Sequence, residues 1–358
     1  MRAAVSWDAG APFTVESKVQ RREPTAHEVV VKVRAAGFCQ TDLSLAKGAF
    51  GQAHPVVLGH EGVGEVVEVG TAVRSVSVGS RVIVSWVPSC GRCYHCVRGE
   101  TYICANRKRA GDLDPSNVDL SVDGRPVHAG MGTATFAEET VLPEAAVIPL
   151  DDDIPFELAA LLGCAVPTGL GAALNTAQVA VGETVLVIGC GAVGLSAVQG
   201  ARIAGAALIV AVDPHPARRS TAEALGADVA LAPDDLAEQR PNGVGFDVVI
   251  DAVARSTTIR SGWSSARRGG RVIVVGAGHA DDPVEFSALE LFHDEKTLRG
   301  SFYGSSDMPL EVPRLTALWR TGRLDLKSMV ADVVGLDDIN EVARRQGDGE
   351  VVRLVMAL

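Results

Sequence analysis

Four of the seven cysteines, Cys90, Cys93, Cys96 and Cys104, fall within one fifteen-residue stretch. Their C-x2-C-x2-C-x7-C spacing brings four soft donors into one short loop, enough to close a tetrahedral zinc shell with no open position, which is the pattern of a structural site. An iron–sulfur cluster is a rival on ligand type alone. Disulfides fit less well, because an odd cysteine total leaves one thiol unpaired and a reducing compartment keeps close thiols free for metal.

Three further donors stand apart: Cys39 in AAGFCQTD, His60 in LGHEGVG and Cys164 in LLGCAVPTG. Singly, each has a plain reading as a buried apolar cysteine or a core histidine. Together they form a three-ligand set that leaves a fourth position open for a substrate oxygen. Asp42 and Glu61 lie close by in sequence as carboxylates able to orient such ligands from behind.

A second chemistry lies in Gly189-Cys190-Gly191-Ala192-Val193-Gly194, a GxGxxG run between a predicted strand and a predicted helix. Glycines here allow a tight turn and bring backbone N–H groups up to a pyrophosphate at the helix N-terminus. The next predicted strand ends in Asp213, a carboxylate placed to accept from both ribose hydroxyls and to repel a 2′-phosphate, so NAD is expected rather than NADP. Arg218 either flanks that ribose or is a solvated helix arginine. Cys190 reads as a small buried residue in the turn.

The elements that must hold these groups change character along the chain. HEVVVKVRAAG (27–37), GVGEVVEVG (62–70) and GSRVIVSWV (79–87) read as strands of a mostly antiparallel β domain. From Pro155 the run PFELAALLGCAVPTGLGAALNT reads as helix. Beyond it the apolar strands 184–189, 208–213, 246–253 and 271–278 alternate with helices, which implies a parallel sheet covered on both faces. The closing strand VVRLVMAL is expected to return to the first lobe.

Length and composition agree with two lobes. The chain has 358 residues, 47% of them apolar and 22% charged, which excludes collagen, coiled coil and disorder. A formal charge of −11 has the wrong sign for general attraction to nucleic acid or anionic lipid, so neither is an expected partner. The absence of a spanning apolar run or a secretory-type start leads us to expect a cytoplasmic protein away from membranes.

With these residues assembled, the sequence resembles the zinc-dependent medium-chain alcohol dehydrogenases along essentially its whole length. GHEGVGEV, the four-cysteine loop, LLGC-x3-TG and GxGxxG occur in the family's order. The resemblance implies an α/β protein in which a GroES-like β-rich catalytic domain, residues 1–165 and 303–358, carries both zinc sites. A doubly wound Rossmann NAD domain, 166–302, is inserted into it. Catalytic zinc would rest on Cys39, His60 and Cys164, and structural zinc on the four-cysteine loop. Thr41 would hydrogen-bond the alcohol, Thr168 would pack near the nicotinamide with Val193 behind it, Arg353 would bind pyrophosphate, and Trp86 would wall the substrate pocket.

Within the family, SWVPSCGRC and LFHDEKTLRGSFYGS look like the branch holding class III and mycothiol-dependent formaldehyde dehydrogenases and the nicotinoprotein alcohol dehydrogenases. The expected activity is NAD-dependent oxidation of a primary alcohol, aromatic or long-chain, to its aldehyde. The alternative is oxidation of a formaldehyde–thiol adduct, for which Arg107-Lys108-Arg109 either supply carboxylate-binding charge or form a solvated basic turn. A non-catalytic NAD-binding protein is the reading from another class, and it conflicts with the intact ligand set. Ser44 stands where many relatives end their proton relay in histidine, and Gln40 where several carry a basic residue. A homodimer, or a homotetramer, is implied by the resemblance alone.

Overall fold

The computed structural model describes residues 1–107 and 118–358. The chain divides into two compact units. The first comprises residues 1–164, 307–317 and 330–358, and the second residues 165–306 and 318–329.

The first unit is β-rich. Among the described residues, one sheet orders its strands Val147–Pro149, Arg81–Val84, Glu61–Val69, Glu28–Gly37, Leu354–Ala357 and Asp332–Gly335, with Glu139–Pro143 also paired to Glu28–Gly37. The ten-residue strand Glu28–Gly37 is its spine, because its valines are buried and Val29 and Val31 pack in one core with Val66, Val82, Val84 and Leu142. The C-terminal strand returns as the sequence predicts, pairing antiparallel with Val355 opposite Gly37. A second sheet in this unit runs from Thr14–Glu16 through Ala3–Ser6 to Val19–Arg21.

The second unit is a parallel sheet. Its strands are Thr184–Ile188, Leu208–Val212, Val229–Leu231, Phe246–Asp251, Ala266–Val274 and Thr297–Gly300. Numbered along the chain they lie in the order 3-2-1-4-5-6, the doubly wound arrangement whose ligands bind outside the carboxyl ends of the strands. Leu186, Ile188, Val210, Phe246 and Trp263 fill one face of it.

One expectation is corrected. The run from Pro155 is not one helix: Phe156–Ala159 passes into a tight turn at Ala160–Gly163, Cys164 breaks the helix with φ −148° and ψ −70°, and a new helix starts at Ala165. The break turns a residue that helical periodicity would have buried in a helix face into one with an independent direction. Residues 303–306 and 318–329 belong to the parallel-sheet unit, where Asp325 hydrogen-bonds Gln199 through both backbone groups, at 2.8 and 3.1 Å.

Candidate active site and zinc centres

Cys39 ends the turn after strand Glu28–Gly37 and caps helix Gln40–Ala46, while His60 stands immediately before strand Glu61–Val69. Hydrogen bonds between the two strands set Gly37 opposite Glu61, so the ligand-bearing ends meet. One ligand atom each from Cys39, His60, Glu61 and Cys164 falls within 4.8 Å of the others, and all four residues are buried.

Asp42 organises this cluster. Fully buried, it accepts from the backbone N–H of Cys39 at 3.0 Å and of Gly59 at 3.1 Å, and it pairs with His60 Nδ1 at 3.0 Å. Occupying Nδ1 fixes the ring tautomer and leaves Nε2 as the donor for a metal. Cys39 is held well below the usual thiol range, first by its hydrogen bond with Cys164 and then, against burial, by Arg353 and His60. Two thiols, one of them lowered, and one oriented imidazole form a donor set that fits zinc.

Glu61 is the residue whose role was only sketched by the sequence. Its carboxylate is completely buried, its Oε1 lies 3.2 Å from Arg353 Nη2, and neither oxygen makes a hydrogen bond among the described residues. Burial pushes its pKa up to about 7, with Arg353 pulling the other way. A side chain at position 37 would run into Glu61 Oε2, so glycine there makes room for the acid. Arg353 is expected at a pyrophosphate, yet its guanidinium is 3% exposed, paired with Glu61 and donating to the carbonyl of Phe38. The signal was available: a lone arginine in the apolar strand VVRLVMAL needs a buried counter-charge.

Trp86 is buried and stands edge-on to His60, with ring centroids 6.1 Å apart. Thr41 lies half-buried in the first turn of helix Gln40–Ala46, and Ser44 donates to the carbonyl of Gln40 at 3.2 Å.

The second cluster, Cys90, Cys93, Cys96 and Cys104, also lies within 4.8 Å. Its Sγ–Sγ separations of 4.0 Å for Cys90–Cys96 and 3.9 Å for Cys93–Cys104 exclude disulfides and sit close to the tetrahedral edge of about 3.8 Å that Zn–S bonds generate. Backbone N–H groups of Cys90, Cys96 and Asn106 point at the sulfurs at 3.4 to 3.5 Å, favouring thiolates. Cys93 is lowered to about 6, chiefly by the N–H of Cys96. Of the basic run after this loop, Lys108 and Arg109 lie outside the described residues.

In the parallel-sheet unit, Gly189 takes φ 90° and Gly191 caps helix Ala192–Ala204. A Cβ at Gly194 would collide with the carbonyl of Gly189, whereas one at Gly191 would meet nothing within 4 Å. Gly194 is therefore needed for packing, and Gly191 leaves an empty cradle at the helix N-terminus that fits a pyrophosphate. Asp213, almost wholly buried, accepts from Cys190 N and His215 N at 2.8 Å each and ties the two strand ends together. Arg218 Nη1 comes within 3.9 Å of it. Arg219, which the sequence reading passed over, donates to the carbonyls of Asp213 at 2.8 Å and Pro214 at 3.0 Å. Burial pushes the Cys190 thiol up to about 12, consistent with an inert residue. Thr168 is buried, and its hydroxyl has no partner among the described residues. Val193 lies in the first turn of the same helix as Gly194.

Residues 25–152 match the alcohol dehydrogenase GroES-like domain and residues 192–318 the zinc-binding dehydrogenase family. The chain belongs to the zinc-dependent medium-chain alcohol dehydrogenase family. It is an oxidoreductase with two zinc-type cysteine and histidine clusters. It is 34% identical over 372 residues to S-(hydroxymethyl)glutathione dehydrogenase of Paracoccus denitrificans, covering 99% of both chains. Among solved structures, an alcohol dehydrogenase zinc-binding domain protein from Burkholderia ambifaria is similar at 32% identity and a TM-score of 0.94, covering 100% of this chain and 98% of that one. Benzyl alcohol dehydrogenase from Acinetobacter calcoaceticus is similar at 29% identity and a TM-score of 0.91, covering 100% and 99%.

Proposed function

We propose that this member of the family catalyses reversible NAD-dependent oxidation of a primary alcohol, aromatic or long-chain, to its aldehyde. The observation that carries the reading is the buried Cys39, His60 and Cys164 set oriented by Asp42. Zinc held there supplies a Lewis acid that lowers the pKa of an alcohol, and NAD supplies the hydride acceptor.

The remaining work falls to the chain's own groups. Asp42 holds Nδ1 of His60 and so keeps Nε2 aimed as the metal donor. Arg353 opposes the negative charge of Glu61, so the low-dielectric site is not overloaded with anions. The alcohol proton would leave through the Thr41 hydroxyl, which gives up its own proton as it accepts the new one, and then through the cofactor ribose. Ser44, at the outer end of this relay, can pass a proton but cannot store one near neutral pH. Trp86 presents an apolar wall to the alcohol, which suits an aromatic substrate. Asp213 selects NAD by accepting from ribose hydroxyls where a 2′-phosphate would be repelled, with Arg218 beside it. Arg353 keeps a proposed cofactor role through the carboxylate it neutralises.

The second reading, oxidation of a formaldehyde–thiol adduct, draws support from the Paracoccus denitrificans relative's name. One experiment separates the two: zinc analysis of the purified protein, then NADH formation on a panel of alcohols, with and without formaldehyde plus glutathione or mycothiol. About two zinc per chain and thiol-independent turnover support the first reading, whereas turnover only with thiol and formaldehyde supports the second. His60→Ala or Cys164→Ser should leave one zinc per chain and remove turnover. Retained turnover in such a variant would refute the ligand assignment.

The outer edge of strand Thr297–Gly300 has no neighbour among the described residues, and we propose that a second copy pairs there to form a homodimer, with a homotetramer as the larger alternative. Reduced thiols and zinc ligation also suit the cytoplasm as its compartment.

A further inference from the structure

Three consecutive residues, Tyr303 at φ 53°, Gly304 at φ 66° and Ser305 at φ 51°, occupy the left-handed region. Side chains disfavour this conformation, and a run of three, two of them not glycine, persists only where surrounding contacts impose it. The turn follows the edge strand Thr297–Gly300 at the carboxyl end of the parallel sheet, the end where such folds bind ligands.

What imposes it is the helix Ala165–Gly171. A Cβ on Gly304 would run into the carbonyl of Pro167 and sit 2.8 Å from that of Thr168, and one on Gly171 would run into the carbonyl of Gly304. Helix and turn thus touch backbone to backbone. On its other side the same helix meets the nucleotide helix equally closely, since a Cβ on Gly169 would run into the carbonyl of Val193. Hydroxyls lock the turn: Ser301 and Ser305 each lie 2.8 Å from Thr176 Oγ1, and Ser306 donates to the carbonyl of Pro167 at 3.2 Å. Held between the two contacts is Thr168, whose buried hydroxyl has no partner among the described residues.

We infer that the Tyr303–Ser305 turn is a positioning element for the dinucleotide: its left-handed geometry presses helix 165–171 against the glycine-turn helix and so sets Thr168 at the cofactor. The inference rests on the NAD reading above. It assigns the turn's backbone shape, rather than the Ser305 hydroxyl, the decisive part.

Substitutions at position 305 test it, with NADH affinity measured by fluorescence titration without substrate alongside zinc content and Tm. Ser305→Gly keeps the left-handed shape without its cost. It should raise Tm relative to Ser305→Ala and bind NADH within about twofold of wild type. Ser305→Val, whose β-branch resists positive φ, should weaken NADH binding about tenfold with both zinc ions retained. A fall in Tm with unchanged NADH affinity in Ser305→Val would mean a merely structural turn and overturn the inference. If Ser305→Val does not fold, the Ala and Gly variants decide. Both lack the hydroxyl and differ in left-handed cost, so tighter NADH binding by Gly supports the inference and equal binding overturns it. A wild-type protein that binds no NADH would instead remove the NAD reading itself.

Discussion

Asp42 shows how much one side chain contributes here. Its two oxygens serve the backbone on either side of the site and the imidazole within it, so it fixes ligand direction as well as tautomer. Asp42→Asn nearly preserves shape but removes the charge and places an amide donor at one of these acceptor positions. We expect catalytic zinc affinity to fall roughly 10- to 100-fold, the range for such outer partners, with the four-cysteine zinc retained. Competition against a graded series of chelators reads both sites separately, and equal loss from both would contradict the assignment. Ser44 gives a second residue-scale prediction. Because its hydroxyl cannot hold a proton near neutrality, alcohol oxidation in the wild type should lack a histidine titration from this position. Ser44→His should introduce one near the ordinary histidine range, about 6.5, visible in the pH dependence of hydride transfer. Identical profiles in the two proteins would rule out Ser44 as the relay's outer member.

At the scale of elements, strand ends and turns decide what the side chains can do. Gly191 has φ −74° and ψ −176° and caps the nucleotide helix, so Gly191→Val costs no left-handed strain, and its Cβ meets no atom of the described residues within 4 Å. It should therefore leave Tm nearly unchanged while weakening NADH binding more than about tenfold, since the side chain fills the space a pyrophosphate needs. Calorimetry and NADH titration on the same sample check both halves. A different device joins the opposite ends of the parallel strands. Asp247 accepts from Thr184 N and Oγ1 at 2.8 Å each and from Arg267 Nε at 2.6 Å. Burial works against the charged carboxylate, but the Thr184 and Arg267 contacts prevail and hold its pKa below the usual value. A lowered carboxylate adds stability above its unfolded pKa, about 3.9, and that stability is lost as pH falls through the lower folded value. Asp247→Asn should thus cost about 1–3 kcal/mol at pH 7 and progressively less below pH 4, measured by urea unfolding across that range. A pH-independent difference would show that packing, not charge, is lost.

The sequence exposes these features unevenly, for physical reasons. Metal ligands and glycine turns restrict residue type so strongly that both cysteine clusters and the GxGxxG run are visible without a fold. The strand spans 27–37 and 184–189 are similarly plain, because a two-sided buried strand leaves a near-continuous apolar run. Other features depend on contacts distant in sequence. The pairing of Arg353 with Glu61 requires knowing that the last strand lies beside Glu28–Gly37. The break at Cys164 opposes the local helical pattern, and only packing on both sides maintains it. Residues 318–329 join the parallel-sheet unit through Gln199, which no local signal announces.

The whole-molecule prediction concerns the free edge of the parallel sheet. Strand Thr297–Gly300 is exposed along its length, and an unpaired edge presents a row of N–H and C=O groups that a second chain can complete. Leu298 on this strand is open to solvent, and in the preceding helix Ala288–Asp294 Leu289 is 72% and Phe292 83% exposed. Large apolar side chains left open on the helix that leads into a free edge suit an interface. Two copies related by a twofold axis would bury both features at once, because an antiparallel edge contact is self-complementary. Phe292→Glu places a charge inside that contact without touching either cysteine cluster or the glycine turn. Light scattering after size exclusion should report a dimer for the wild type and a shift toward monomer for the variant, with both zinc ions and NADH binding preserved. A wild-type monomer would rule out this edge as the interface, and a variant of unchanged mass would mean that copies associate elsewhere.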